Sequence, residues 1–516
     1  MSLRRGASED RLQMAGGGDL ADSKVDTSQD SGHLVDLVKH YRETASVHGV
    51  AQVGDKQLYS FRRCLWVFLM IAMLGGLTTL MYLHFKRYVE YPTVTVVHAH
   101  TADTVPFPAT TICNLNQFHS TRIPNDQRLR DLLYKMSDFA YLHDYIAQPG
   151  GLTVSTMETA KVETGEELKA FALDAAHRLS DMFKYCVFRT QKMPCEDLFN
   201  ATLTDIGVCF TFNANQDIPR FNSTDSGPVS GLRVILNIEQ DFYYFSRHTQ
   251  SGLKVLLHEP DEAPLLINRG FFVRPGTCTD VVIRREQRTS LGKPYKAFGD
   301  TYCLDTRSPD FRSPLTRFRN YSYTEQSCWK DCYTHRLVQL CGCRHFFDPG
   351  DDEICSIDDL ETCYIPNAEK ISMEEVKACD CNLPCSEVAY AASMSFTDFA
   401  SKFVVKHMFN SNLLADMAYV RENIIELRVY YDTLTVSGVQ QQPEMSVMGI
   451  FGDMGGHMGL FLGASILSVT EILEVILLAV CSCCLGRWSA MRNAAHVPGR
   501  SAERNDHKAD RADSVF

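Results

Sequence analysis

The 516-residue chain lacks a surplus of basic charge: 51 Lys and Arg stand against 63 Asp and Glu, a formal net charge of −12. A surface of that sign repels phosphate backbones, which argues against nucleic acid as a main partner. An apolar stretch near the start is also missing. The first 50 residues are polar and charged, so no cleavable signal peptide is expected. There is no phosphate-binding glycine loop, no nucleophile paired with a base, and no well-spaced histidine to complete a metal site around the Cys-x-Cys pairs. Enzyme chemistry, bound metal and cofactors are therefore not expected. No internal repeat is visible. Residues 1–40 are poor in aromatics and rich in Gly, Ser and Asp, a composition expected to stay disordered.

What the chain does have begins with two long apolar runs. The first, Cys64 to about Phe85, carries no Asp, Glu, Lys or Arg and is long enough to span a membrane as a helix. The second extends from about Met445 to Leu485. Two spans put both termini on one side, and Arg62, Arg63, Arg487 and Arg492 flank the inner ends, so both termini are expected in the cytosol. The second run has the wrong composition for a mere anchor. It carries Asp453, His457, Glu471 and Glu474, with Gly455, Gly459 and Gly463 recurring every fourth residue. Ionisable side chains in a span are tolerated chiefly where they face a bundle interior or a water-filled path. Small residues in one stripe admit close neighbours or a narrow lumen, and acidic rings attract cations to a pore. The pattern predicts a pore helix; plain helix packing would explain the glycine stripe taken alone.

The cysteines agree with that topology. Of 19, only Cys64, Cys481, Cys483 and Cys484 lie outside the stretch between the two runs. So dense a loop belongs in an oxidising compartment, and the glycosylation sequons at Asn200, Asn222 and Asn320 fall in the same loop. Zinc ligation by Cys341, Cys343, Cys379 and Cys381 is the weaker alternative to disulfides. Cys481, Cys483 and Cys484 at the inner membrane edge suit either palmitoylation or simple packing. Between the runs, alternation predicts strands at 93–97, 232–236, 253–257 and 271–274. Helical spacing predicts helices at 125–136 and 164–185, and 328–385 reads as a stapled helix-and-loop lobe.

Particular motifs carry a resemblance. Gly463-Ala464-Ser465 in an acidic second span, His48-Gly49 before the first, Phe107-Pro-Ala-Thr-Thr-Ile-Cys-Asn-Leu-Asn116 and Gly207-Val-Cys-Phe-Thr-Phe-Asn213 together resemble the degenerin/epithelial sodium channel superfamily. Within it the chain is most similar to the acid-sensing and bile-acid-sensitive branch, from about residue 36 to 480. The resemblance implies a trimeric membrane α+β protein with two transmembrane helices and a large, hand-like, disulfide-rich β-sheet and helix ectodomain. The implied parts are a cytosolic region at 1–63, spans at 64–86 and 445–485, an extracellular domain at 87–444 and a cytosolic tail at 486–516. It further implies a sodium-selective, amiloride-sensitive plasma-membrane channel, a homotrimer or a heterotrimer with related subunits, opened by extracellular protons. Seven bridges are implied: Cys113–Cys209, Cys186–Cys195, Cys303–Cys385, Cys328–Cys381, Cys332–Cys379, Cys341–Cys363 and Cys343–Cys355. Cys278 is left over, more in keeping with a buried free cysteine than a reactive thiol.

By the same resemblance Gly463, Ala464 and Ser465 form the selectivity belt and His48 with Gly49 completes the lower pore. Glu471, Glu474 and Asp453 are the pore acids, Gly452 occupies the degenerin gate position, and Gly459 the amiloride position. Leu434-Thr435 matches the desensitisation linker. The acid-sensing residues depart from the pattern. The stretch Tyr243–Gly252 carries no acid, Arg428 stands for an aspartate, and His98-Ala99 stands for an Asp-Glu pair. Thr93 replaces a histidine, and the tryptophan that would stack on Tyr91 is missing, with Tyr295 or Phe298 as substitutes. Imidazole titrates near physiological pH, so His98 and His100, with Glu369, are the candidate proton sensors. Asp351-Asp352-Glu353 is a residual acidic run able to take protons or a modulatory calcium ion, or simply a solvated loop. A non-proton trigger on the same pore (peptide, amphiphile or constitutive leak) is the alternative, and an ATP-gated two-span receptor or a poreless adhesion protein fits the cysteines or the second span less well.

Overall fold

A computed structural model describes residues 39–41, 45–54, 59–140, 162–214, 219–297, 300–371, 379–410, 417–465, 467–478 and 480–481. Two compact units emerge, Tyr91–Glu444 and a second made of the flanking segments Met1–Glu90 and Met445–Phe516. Along the chain run α1 (Val50–Gly54), α2 (Ser60–Val89), β1 (Thr93–Thr101), β2 (Ala109–Asn114), α3 (Gln127–Lys135) and α4 (Gly165–Asp174). Then come β3 (Phe183–Phe188), β4 (Phe199–Thr204), β5 (Gly207–Phe212), β6 (Leu232–Asn237), β7 (Leu253–His258), β8 (Phe271–Val273) and β9 (Thr277–Thr289). The remainder are α5 (Glu325–Cys341), α6 (Ile365–Lys370), β10 (Ser386–Asp398), β11 (Ile424–Tyr431), β12 (Thr435–Pro443) and α7 (Val447–Leu462), followed by α8 (Leu467–Leu478).

The larger unit is built on two sheets. One has the order β1-β12-β9-β11-β6-β3, with β10 paired along β9; the other runs β8-β7-β2-β5-β4. Strand β9 is the spine of the first. Its first half pairs in parallel with β11 (Cys278↔Glu426 to Ile283↔Tyr431) and its second half with β12 (Glu286↔Ser437 to Thr289↔Gln440). The faces of both sheets that meet carry Phe107, Phe188, Phe199, Phe212, Leu232 and Val281, all buried. Phe107 alone makes edge-on ring contacts with Phe188, Phe212 and Tyr431, the arrangement aromatic quadrupoles favour.

A helical lobe packs its own core from α3, α4 and α5, including Leu129, Leu168 and Leu337. Helix α4 starts at a capping box, Thr164 with Glu167, which satisfies donors the first turn leaves open. The helix expected over 164–185 is broken: it ends at Asp174, a short turn of helix follows at Leu179–Met182, and Phe183 begins a strand. Pairing of Phe183 with Leu236 and burial of Phe183, Cys186 and Phe188 on the sheet override the local helical spacing. Seven bridges staple this unit: Cys113–Cys209, Cys186–Cys195, Cys303–Cys385, Cys328–Cys381, Cys332–Cys379, Cys341–Cys363 and Cys343–Cys355. These are the pairs the resemblance implies. A chain cross-linked so often unfolds into an already restricted ensemble.

In the smaller unit α2 is long and apolar enough to cross a membrane, and α7 with α8 passes the same test as a pair bent by 79°. Helix α2 covers four residues more at its start and three more at its end than the span expected over 64–86. Its less exposed residues include Arg63, Met70, Leu77 and His84, every seventh position, the spacing of a helix that lays one stripe along a neighbour. The rest of its surface leaves Phe61, Phe68, Ile71 and Phe85 bare, a liability in water and an asset in lipid. The second apolar run is not one continuous helix, as its composition alone suggested. Gly463 caps α7 with φ +58° and an N–H bonded to the Gly459 carbonyl at 3.0 Å, a left-handed cap that glycine adopts without a Cβ penalty.

Candidate functional site

The break after α7 is where the smaller unit gathers its polar and conformationally unusual residues. The segment before α1 lies against it. His48 donates its backbone N–H to the Leu462 carbonyl at 3.0 Å. Ser46 Oγ is 2.5 Å from Ser468 Oγ, a residue 422 positions away, and donates to Glu471 at 3.0 Å. Ser465 N–H in turn donates to Ser468 Oγ at 3.0 Å. A Cβ at Gly463 would sit 1.5 Å from His48 Nδ1, and one at Gly49 (φ +92°) 2.6 Å from Met70 Sδ. Both glycines are thus required twice over, by backbone conformation and by contact. His48, Gly49, Gly463, Ala464 and Ser465 therefore meet in one place, with Glu471 beside them and Glu474 exposed on the same helix.

Higher on α7 the picture is open. A Cβ at Gly452, Gly455 or Gly456 would meet nothing within 4 Å, and at Gly459 only the Ala464 carbonyl at 4.0 Å. Within one chain these glycines do not serve helix packing; Gly76 of α2 does, since a Cβ there would lie 2.8 Å from the Phe461 ring. Asp453 is exposed beside Gly452.

The candidate sensors lie apart. His98 and His100 project from one face of β1, rings near parallel at 17° with centroids 6.5 Å apart. His98 faces Gly438 of β12, where a Cβ would fall 2.2 Å from its Nε2, so the ring lies flat over a residue with no side chain. Glu369 sits on α6 in the helical lobe and is not gathered with them. The start of β12 is tied back to β1 through the Leu434 carbonyl, which accepts from Ala102 N–H at 3.0 Å, and through Thr435 Oγ1, 3.4 Å from Thr101 Oγ1. Tyr91 meets the Tyr295 ring edge-on at 5.4 Å, whereas Phe298 lies outside the described residues. Asp352 is paired with Arg317 at 2.8 Å, and Asp351 lies 4.0 Å from Arg319. Asn200, Asn222 and Asn320 are all exposed.

Glu426, Asp205 and Glu262 escaped the sequence reading, and Arg428 and Cys278 gain a context there. Glu426, 4% exposed, receives Arg233 at 2.6 Å and Arg428 at 2.9 Å, so Arg428 is held by a carboxylate on its own strand. Cys278 is free and buried, and burial followed by the charge of Glu426 pushes its thiol up to about 11. A thiol so held stays protonated and unreactive. Burial also raises Asp205 and Glu262 above the ordinary carboxylate range, against backbone donors from Leu266 and Ile267 at Asp205 and against Arg269 at Glu262. Arg428 and Arg269 lie close in sequence to the carboxylates they pair with, but Arg233 and the donors to Asp205 come from distant strands and loops, which no local pattern announces.

Two buried histidines, by contrast, resist protons. Desolvation lowers both His258 and His345 to about 4. His258 Nε2 lies 2.8 Å from Thr111 Oγ1 and its Nδ1 2.8 Å from the Glu259 carbonyl. The folded value is below the unfolded one, so their contribution to stability is complete above about pH 6.5 and drains away towards about pH 4, roughly 3 kcal/mol for each. Melting temperature of the purified chain in detergent should fall through that window. His345→Phe, which keeps the ring contacts with Phe346 and Phe347, should flatten the fall; an unchanged slope would rule His345 out as its source.

Comparison with known proteins bears on the family of the chain. The family described as amiloride-sensitive sodium channel matches residues 41–475. Acid-sensing ion channel 1A of Danio rerio is 31% identical over 467 residues, covering 86% of this chain and 89% of that one. Acid-sensing ion channel 1 of Gallus gallus is 29% identical over 88% of this chain and 86% of its own length, and acid-sensing ion channel 2 of Homo sapiens 29% over 85% and 86%. A solved proton-activated chloride channel aligns at 7% identity over 83% of this chain and 98% of its own, with a TM-score of 0.27, too slight a likeness to carry any argument. The chain is a member of the amiloride-sensitive sodium channel family.

Proposed function

We propose that three such chains, alone or with related subunits, form a sodium-selective, amiloride-blocked channel of the plasma membrane that opens to extracellular protons. The observation that carries the pore is the packing of His48-Gly49 onto the Gly463–Ser465 break. A break in a spanning helix frees carbonyls and hydroxyls to replace part of an ion's water where the backbone lines a cavity. Glu471 and Glu474 concentrate cations below it, Gly452 serves the gate and Gly459 the blocker. Helices α2 and α7–α8 are the two spans, both termini are cytosolic, and the larger unit faces outward with its bridges and sequons.

His98 and His100 are the proton sensors of this reading. Charging both imidazoles sets two like charges against each other on one face of β1, beside Gly438 of β12, and β12 leads directly into α7. Whole-cell current during steps of external pH from about 7.4 to about 5 tests it, with a change of His98 and His100 together to Asn expected to move half-activation by about 0.5 unit or more towards acid. A non-proton ligand is the second reading, favoured by the acid-free stretch 243–252. Silence at every pH, with the protein at the surface and a Gly452→Phe variant conducting, would leave the pore and remove the proton.

A further inference from the structure

One pair of ionisable side chains in the smaller unit has no part in the pore just described. His84, near the end of α2, and His457, in the second half of α7, point at one another across the seam between the helices. Their Nε2 atoms are 3.1 Å apart, with ring centroids at 4.9 Å and planes tilted by 58°. One imidazole N–H donated to the other ring accounts for that distance. It is also close to the spacing of two ligands on one metal ion, since nitrogens about 2.0–2.1 Å from a tetrahedral zinc lie roughly 3.3 Å from each other.

Three further observations bear on what such a pair could hold. His84 Nδ1 is buried without a hydrogen-bond partner among the described residues, so no neighbour fixes that ring's tautomer; the partner that usually orients a ligating ring is missing, and the case rests on the approach of the two Nε2 atoms. Both histidines are half-buried, which leaves water access to the remaining coordination positions. No group of three or more His, Cys, Asp or Glu forms a site among the described residues, so the protein supplies two nitrogens and no carboxylate. A nitrogen-only pair disfavours sodium, calcium and magnesium, which want oxygen, and suits zinc, copper or nickel.

We propose that His84 and His457 form a binding site for a divalent transition-metal ion, zinc above all, which staples α2 to α7. The consequence for gating rests on the pore reading above: an ion held by both helices resists their relative movement and slows the channel's opening or closing.

Copper(II) is the probe, titrated into the purified full-length chain in detergent and followed by electron paramagnetic resonance, with zinc as competitor. The wild-type chain should show a zinc-displaceable copper signal with two imidazole nitrogens. His84→Ala and His457→Gln should each lose one nitrogen and weaken binding about tenfold or more, at least the loss that follows removal of an outer-shell partner. A spectrum and affinity unchanged in both variants would overturn the site. The second measurement is zinc applied to the standing current of Gly452→Phe, with and without His84→Ala. Zinc that slows the current only when His84 is present supports the staple. Copper bound as expected with a current indifferent to zinc keeps the site but rejects its coupling to the pore, whereas no current from Gly452→Phe at all counts against the pore reading and leaves the binding result standing.

Discussion

Cells expressing Gly463→Ala should reach normal surface density yet lose sodium-over-potassium preference by about tenfold, a change equivalent to about 1.4 kcal/mol. Two effects combine. Gly463 holds φ +58°, a conformation that costs an L side chain roughly 1–2 kcal/mol. Its new Cβ would also fall 1.5 Å from His48 Nδ1, so the His48 loop must back away. Coupling is the sharper test. If His48 and Gly463 act through that contact, His48→Ala and Gly463→Ala combined should do less harm than the sum of the two. Reversal potentials that stay at the wild-type value in Gly463→Ala would take this break out of ion selection.

Gly452→Phe should produce a standing, amiloride-blocked sodium current at neutral pH. Nothing lies within 4 Å of the added Cβ in a single chain, so the substitution leaves the fold of one subunit intact. Its effect has to arise where copies of α7 meet around an axis, where bulk keeps the helices apart. Gly75 on α2 is the matched control, because it too is exposed and its Cβ would meet nothing. On the proposed topology that face meets lipid, and Gly75→Phe should change the current little. Equal standing currents from both variants would point to general damage rather than a gate, and none from Gly452→Phe would undercut α7 as the pore wall.

Much of this was legible in the chain itself. Strands at 93–97, 232–236 and 253–257 were readable because β-branched and apolar residues alternate there, and the structure has them as parts of β1, β6 and β7. Strand β9 was not, since its second half, Arg284 to Thr289, is polar and is held by ladders to β10 on one side and β12 on the other. Cysteine spacing pointed to an oxidising compartment but left the partners open; the pairings came with the family resemblance. Cys278 read as the odd cysteine, yet only the burial around it and Glu426 beside it explain an inert thiol.

The same division runs through the site. Composition determined an acidic and glycine-striped second apolar run, because that depends on local chemistry, and the motifs in their order carried the resemblance to a channel family. Tertiary structure alone decided that this run bends by 79°, that His48 fills the space Gly463 leaves empty, and that His84 faces His457. The last two join residues hundreds of positions apart, and no local periodicity encodes a contact made only when distant segments pack.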